Sequence, residues 1–208
     1  RTRSGTGKWE VRTTEYIRDR LQCGWKIPLV KPIQFNSISL LPIDPYLVGI
    51  LLGDGSLTAS SPSFSASTEH VPNEIRRLLT PDLSLKKAIG SNHTWIITSG
   101  PQGTRSNPLS AALRQIGING LYSWEKFIPS FYMAASVPDR LSLLQGLLDS
   151  DGSCSLGFVR FSSCSHVLAE NVADLVRGLG GNAYIHSEKS GRKSHRVMHT
   201  VGITMPTG

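Results

Sequence analysis

Leu47-Val48-Gly49-Ile50-Leu51-Leu52-Gly53-Asp54-Gly55 and Leu144-Gln145-Gly146-Leu147-Leu148-Asp149-Ser150-Asp151-Gly152 are near-copies of one pattern. Each is largely apolar, each has a small residue at the third and seventh places, and each ends in Asp-Gly. Asp54 and Asp151 lie 97 positions apart. A repeat at that distance predicts two similar half-domains in one chain. Each apolar run reads as a helix. Gly49 and Gly53 fall four apart, as do Gly146 and Ser150, so each pair shares one helix face. Small residues there let two helix backbones approach closely, with the leucines and Ile50 interlocking around them. A glycine inside a helix costs about 1 kcal/mol relative to alanine, and close packing against a partner helix offsets that cost. The glycine after each aspartate predicts a helix C-cap.

On this reading Asp54 and Asp151 emerge together at the ends of paired helices. A carboxylate opposes the dipole at a helix C-terminus, and two of them repel each other. A divalent cation between them answers both objections, and an all-oxygen ligand set suits Mg²⁺. The competing reading is a buried helical hairpin whose Asp-Gly pairs only start turns.

The stretch Ser123-Trp124-Glu125-Lys126-Phe127-Ile128-Pro129 leads through Tyr132 and Arg140 into the second copy. With the two copies it resembles the LAGLIDADG (DOD-type) homing endonuclease domains carried inside inteins. The Lys-x-Ile-Pro block precedes the second motif in that family. The entry to the first motif, from Thr13-Thr14-Glu15 to Pro42-Ile43-Asp44-Pro45-Tyr46, is also similar. The resemblance covers about residues 9–205. Leu52 departs from it at the sixth motif place, where the family often has an aspartate and where the second copy has Asp149. That place is not the metal ligand.

The resemblance implies an α+β, pseudo-symmetric LAGLIDADG homing endonuclease fold. It has two αββαββ(α) halves, each with a saddle-shaped antiparallel sheet. It further implies Asp54, Asp151 and Lys126 as catalytic residues and Asp54 and Asp151 as ligands of Mg²⁺. The helix interface is Gly49, Gly53, Gly146 and Ser150. Double-stranded DNA is the expected partner, and the expected state is a monomer with an internal pseudo-two-fold axis. The parent chain is expected to be an intein inserted in a host protein, and the setting cytoplasmic. The domains read as 1–45, a basic N-terminal arm and linker; 46–122, the first half; and 123–208, the second half, short of its last helix.

Local patterns fit this order. A helix is expected over Thr13–Leu21. After the first motif come a strand at Ser63–Ser67, a helix at Val71–Leu79, and a hairpin of Leu83–Ile89 with His93–Thr98 around Gly90-Ser91-Asn92. A helix over Pro108–Ile116 ends at Gly117. The second half repeats strand (Gly157–Ser162), helix (His166–Leu179) and hairpin (182–203). Gly5-Thr6-Gly7-Lys8 lacks the spacing and the preceding strand of a phosphate-binding loop.

The chain of 208 residues carries a net charge of +7, which suits a polyanionic partner. Residues 1–37 hold eight Lys and Arg against three acids. A second cluster, Lys189, Arg192, Lys193 and Arg196, reads as a basic hairpin tip for phosphates. A curved sheet fits the DNA major groove and presents alternate side chains to base edges. Lys86, Lys87 and Arg160 are the basic candidates there, with Ser65, Ser67, His93, Thr98 and Ser162 among the other readers. No apolar run approaches the ~20 residues that span a membrane. The three cysteines form no Cys-x-x-Cys pair, and Cys154 and Cys164 are expected as buried thiols, with a facing placement on neighbouring strands as the alternative. Neither splicing terminus of an intein is seen. Three functions follow: a site-specific double-strand endonuclease, a nuclease-dead or maturase-like nucleic-acid binder, and a fragment of a self-splicing protein whose splicing ends are absent.

Overall fold

In the computed structural model the described residues are 2–3, 9–28, 30–35, 40–100, 106–189 and 196–206. A two-stranded piece, β1 (Thr2–Arg3) and β2 (Trp9–Glu10), precedes α1 (Thr14–Arg18) and a 3-10 turn at Leu21–Cys23. The first half then runs α2 (Pro45–Leu52), β3 (Gly55–Ser56), β4 (Ser63–Ser65), α3 (His70–Leu78), β5 (Leu83–Lys87), β6 (Thr94–Ser99) and α4 (Pro108–Gln115). After the short α5 (Ser130–Met133), the second half runs α6 (Val137–Asp151), β7 (Gly152–Ser155), β8 (Phe158–Ser163), α7 (His166–Gly178), β9 (Asn182–Lys189) and β10 (Val197–Thr204). Both sheets are antiparallel and four-stranded, with the equivalent orders β3-β4-β6-β5 and β7-β8-β10-β9. The α+β architecture with two related halves is therefore present.

The motif helices start where their sequences say. Asp44 caps α2, its carboxylate accepting from Tyr46 N at 2.9 Å, and Pro45 occupies the first turn. Ser136 caps α6 by accepting from Asp139 N, with Pro138 in the first turn. Proline there lacks only an N–H that has no helical partner. From Leu47 to Leu52 every residue of α2 is buried, the all-round apolar pattern of a helix enclosed in a core.

One end meets expectation and one does not. The C-cap of α2 is Gly53, not Gly55, and Gly55 opens β3. Gly152 is the C-cap of α6, its N–H donating to Leu148 O, in extended rather than left-handed conformation. These two glycines are required by space. A Cβ at Gly55 would overlap Leu51 O, and one at Gly152 would overlap Leu148 O. Each Asp-Gly step thus turns the chain from the helix straight into the first strand of its sheet. Those strands, β3 and β7, are short and polar, and no periodicity announced them.

One face of each sheet carries helices. Phe64, Trp95 and Ile97 are buried on the same side as Ile75 of α3; Phe161, Val201 and Ile203 pack with Leu168, Val172 and Val176 of α7. The linker before α2 is tied to the second half. Arg140, only 1% exposed, donates to Ala135 O, Gly178 O and Ile33 O, and Ile33 N donates back to Gly178 O. Tyr132 donates to Ile43 O at 2.7 Å. The cysteine expectation fails: Cys154 is exposed and Cys164 only half-buried, both are free thiols, and Cys154 stands opposite Val159, not Cys164.

Candidate functional site

The two motif helices, α2 and α6, cross in direct backbone contact. A Cβ at Gly49 would overlap Leu143 O and stand 2.9 Å from the Cα of Gly146. One at Gly146 would overlap Tyr46 O, and one at Gly53 would overlap the Ser150 hydroxyl. Gly49, Gly53, Gly146 and Ser150 thus meet in a single contact. Ser150 satisfies its hydroxyl within its own helix, donating to Gly146 O at 2.9 Å. Beside the crossing, Tyr46 donates to the Asp149 carboxylate at 2.7 Å. Burial and that carboxylate push the tyrosine well above its ordinary range. Asp149 is therefore a tie between the helices. Sequence reading noted its place in the motif but not its partner.

The crossing delivers Asp54 and Asp151 to the same end of the pair. Asp54 is exposed, and Asp151 is half-buried. The Asp151 carboxyl is pushed up to about 6, first by burial and then by the negative charge of Asp54, against the pull of Lys126. Lys126 is 3% exposed. Its Nζ donates to Gly53 O and Gly55 O, each at 2.8 Å, on either side of Asp54. Burial brings it down to about 8, opposed by the charges of Asp151, Asp54 and Cys164. The backbone that carries it is fixed within the second half. The Ser165 hydroxyl, which caps α7, donates to Lys126 O at 2.6 Å, and Ile128 N donates to the Asn171 side chain. Nothing in the local sequence of Ser165 or Asn171 signals that role, because it depends on a tertiary contact.

The donor set fits a hard divalent cation. Two carboxylates repel in a partly desolvated site, and no ion pair to either is formed among the described residues. Nor does any group of three or more His, Cys, Asp or Glu there suit a metal. A cation between Asp54 and Asp151 would complete its shell with water and phosphate oxygens, the habit of Mg²⁺.

Each sheet has an uncovered face opposite its helices. In an antiparallel pair, residues directly opposite share a face. Lys86 pairs with Ile96 and Thr98 with Ser84, all facing away from buried Trp95 and Ile97; Ser65 shares that face. In the second half Arg160, Gly202 and Tyr184 form one row and Ser162, Thr200 and His186 the next. Lys87 does not join Lys86. It pairs with Trp95 on the helix side, its Nζ 5.3 Å from the indole centroid. The one-residue alternation of a strand separates the two lysines. Lys189, opposite Val197, also has helix-side register, exposed at the strand end. Arg196 stands just before β10, against Trp124. Ser67 and His93 lie outside the strands. Arg192 and Lys193 fall outside the described residues.

Comparisons with known proteins agree with this geometry. Residues 139–204 match the family described as LAGLIDADG-like domain. The structure resembles the homing endonuclease I-DmoI solved with DNA and Mn, with a TM-score of 0.54 at 16% identity, over 78% of this chain and 89% of that one. The I-DmoI structure with DNA and Ca gives the same score over 78% and 83%. Likeness at that identity establishes the fold. By sequence, the chain is 32% identical over 177 residues to a replicative DNA helicase DnaB of Mycobacterium intracellulare, over 82% of this chain and 26% of that protein. It is 26% identical over 204 residues to a protein of the same name from Rhodothermus marinus, over 89% of this chain and 21% of that protein. The chain thus spans about a quarter of the length of the curated relatives it matches.

Proposed function

We propose that this chain, which has the LAGLIDADG homing endonuclease fold and a LAGLIDADG-like domain at residues 139–204, is a site-specific, Mg²⁺-dependent double-strand DNA endonuclease. One observation carries the reading. A carboxylate from each half, Asp54 and Asp151, meets a buried lysine whose ammonium is fixed against the first motif. The intein origin is part of the same proposal. Relatives named as replicative helicases, about four to five times the matched length, are what an endonuclease domain inserted in a host protein would resemble. The domain would act on cytoplasmic DNA as a monomer, since both halves of its site lie in one chain.

Bound between Asp54 and Asp151, Mg²⁺ would supply Lewis-acid polarisation of a phosphate and activation of water. The chain's own groups do the rest. The two carboxylates would hold the cation. The Lys126 ammonium has three donors; two are spent on Gly53 O and Gly55 O, and the third is available to a phosphate oxygen as charge develops there. With a value near 8 it keeps its positive charge for the most part at neutral pH. The open sheet faces, with Lys86 and Arg160 on them, would orient the duplex.

The test is incubation with a plasmid that carries an uninterrupted DnaB-type host gene. Linear product that needs Mg²⁺ and is abolished by EDTA supports the proposal. Specific binding without cutting in any divalent metal replaces it with the nuclease-dead reading.

A further inference from the structure

Outside the catalytic cluster, three side chains form a stack. Tyr122 and Trp124 lie parallel, with centroids 4.7 Å apart and an interplanar angle of 1°. The Arg196 guanidinium carbon sits 3.6 Å from the Trp124 centroid. A ring face holds one neighbour at such distances, so the indole is sandwiched and Tyr122 is the outer plate. These rings are not core residues: Tyr122 is 54% exposed and Trp124 39%. The turn that bears them is rigid. Glu125 N donates to Tyr122 O, and Tyr122 N donates to the Glu125 carboxylate, both at 2.9 Å. One residue further on is Lys126.

We infer that the outer face of Tyr122 seats one unpaired nucleobase of DNA beside the catalytic cluster. A flat aromatic plate, already stacked and held by its turn, loses little freedom when a base stacks on it, and every base has a π-face to offer. The Arg196 cation on the far side of Trp124 and Lys189 at the adjoining strand end supply positive charge for the flanking phosphates. Glu125 keeps its negative charge while its carboxylate accepts from the Tyr122 backbone, so the attraction comes from the two cations together. The base is one displaced from the duplex, or one in the single-stranded end left by cutting; both present the same chemistry. The inference rests on the nucleic-acid reading above, but its test needs no cleavage.

The test measures binding of a thymidine 12-mer and of an abasic 12-mer by fluorescence anisotropy in EDTA, for the full chain and for Tyr122→Ala and Tyr122→Phe. The full chain and Tyr122→Phe are expected to favour the thymidine strand roughly tenfold, the worth of one stacked base. Tyr122→Ala is expected to lose that preference while holding the abasic strand as before. Equal binding of the two strands by the full chain, or an undiminished preference in Tyr122→Ala, overturns the inference. 2-Aminopurine, placed either as a bulge within a duplex or in a 3′ overhang, then identifies the source. Tyr122-dependent quenching in the bulge indicates a displaced base, quenching in the overhang indicates a product end, and quenching in neither refutes the seat. Failure of the plasmid test with these preferences intact would reject the nuclease and leave the seat standing.

Discussion

Lys126 donates through Nζ to Gly55 O at 2.8 Å, across 71 positions of sequence. A lysine fixed by second-half contacts thereby holds the first residue of a first-half strand. Among the described residues, the corresponding carbonyls beside Asp151 receive no lysine. Lys126→Met is expected to slow cleavage by on the order of 10²-fold or more, the cost of a lost electrostatic donor. The loss should fall more heavily on one strand, so nicked circles should accumulate before linear product on a gel. Linear and nicked forms rising in wild-type proportion would show that the lysine serves neither strand in particular.

Asp54→Asn and Asp151→Asn should each abolish double-strand cleavage and leave DNA binding in place, since the amide keeps the shape and loses the charge. Gel shift and plasmid cleavage on the same preparations check this. Either variant cutting at the normal rate removes that residue from the metal.

Asp151 also makes a pH prediction. Its native value, about 6, lies above the ordinary carboxylate value, so the native state holds this proton more tightly than the unfolded chain. Stability contributed by the group is therefore present at low pH and is lost as pH rises through about 6. Without metal, Asp151→Asn should melt above the wild type near about pH 7, and the gap should close toward about pH 4. Melting curves in EDTA at several pH values read the difference directly. A gap independent of pH would mean that the carboxyl is not held up in the fold.

Gly49→Ala and Gly146→Ala should each destabilise the protein by about 1–3 kcal/mol or more, because the added methyl meets backbone that has nowhere to move. The helix-propensity gain of about 1 kcal/mol offsets only part of this. Gly53→Ala meets the Ser150 side chain instead, so Ser150→Gly should rescue it in part. Urea unfolding of the singles and the double measures the coupling; strict additivity would deny the contact.

Lys86→Ala should weaken binding to duplex DNA and lower the salt-dependence slope by about one. Lys87→Ala should leave that slope unchanged and cost about 0.5–1 kcal/mol of stability through the lost contact over Trp95. Salt titrations of both variants separate the roles. Equal slopes for the two would contradict the strand register.

The repeat made the helix pair legible because small residues four apart have few other uses, and two copies of one pattern constrain each other. The same logic located Asp54 and Asp151. Long elements with strong caps, such as α7 behind Ser165, also stood out within a residue or two. β3 and β7 did not, being too short and too polar to show a period. Lys87 was grouped with Lys86 because adjacency in sequence says nothing about face until register is known. Asp149, Ser165 and Asn171 act through partners 39 to 103 residues away, and a single sequence holds no record of such pairings.

The anchoring of Lys126 has a bearing on recombination between relatives. Its backbone belongs with α7 and its ammonium with α2. A chimera that joins this first half to a foreign second half at the start of α6 would therefore separate the lysine from Ser165 and Asn171. The graft boundary that preserves the site runs before Trp124, so that the lysine segment travels with the half that follows it. To seat the lysine ammonium, the recipient half then needs only the two backbone carbonyls that flank its motif aspartate.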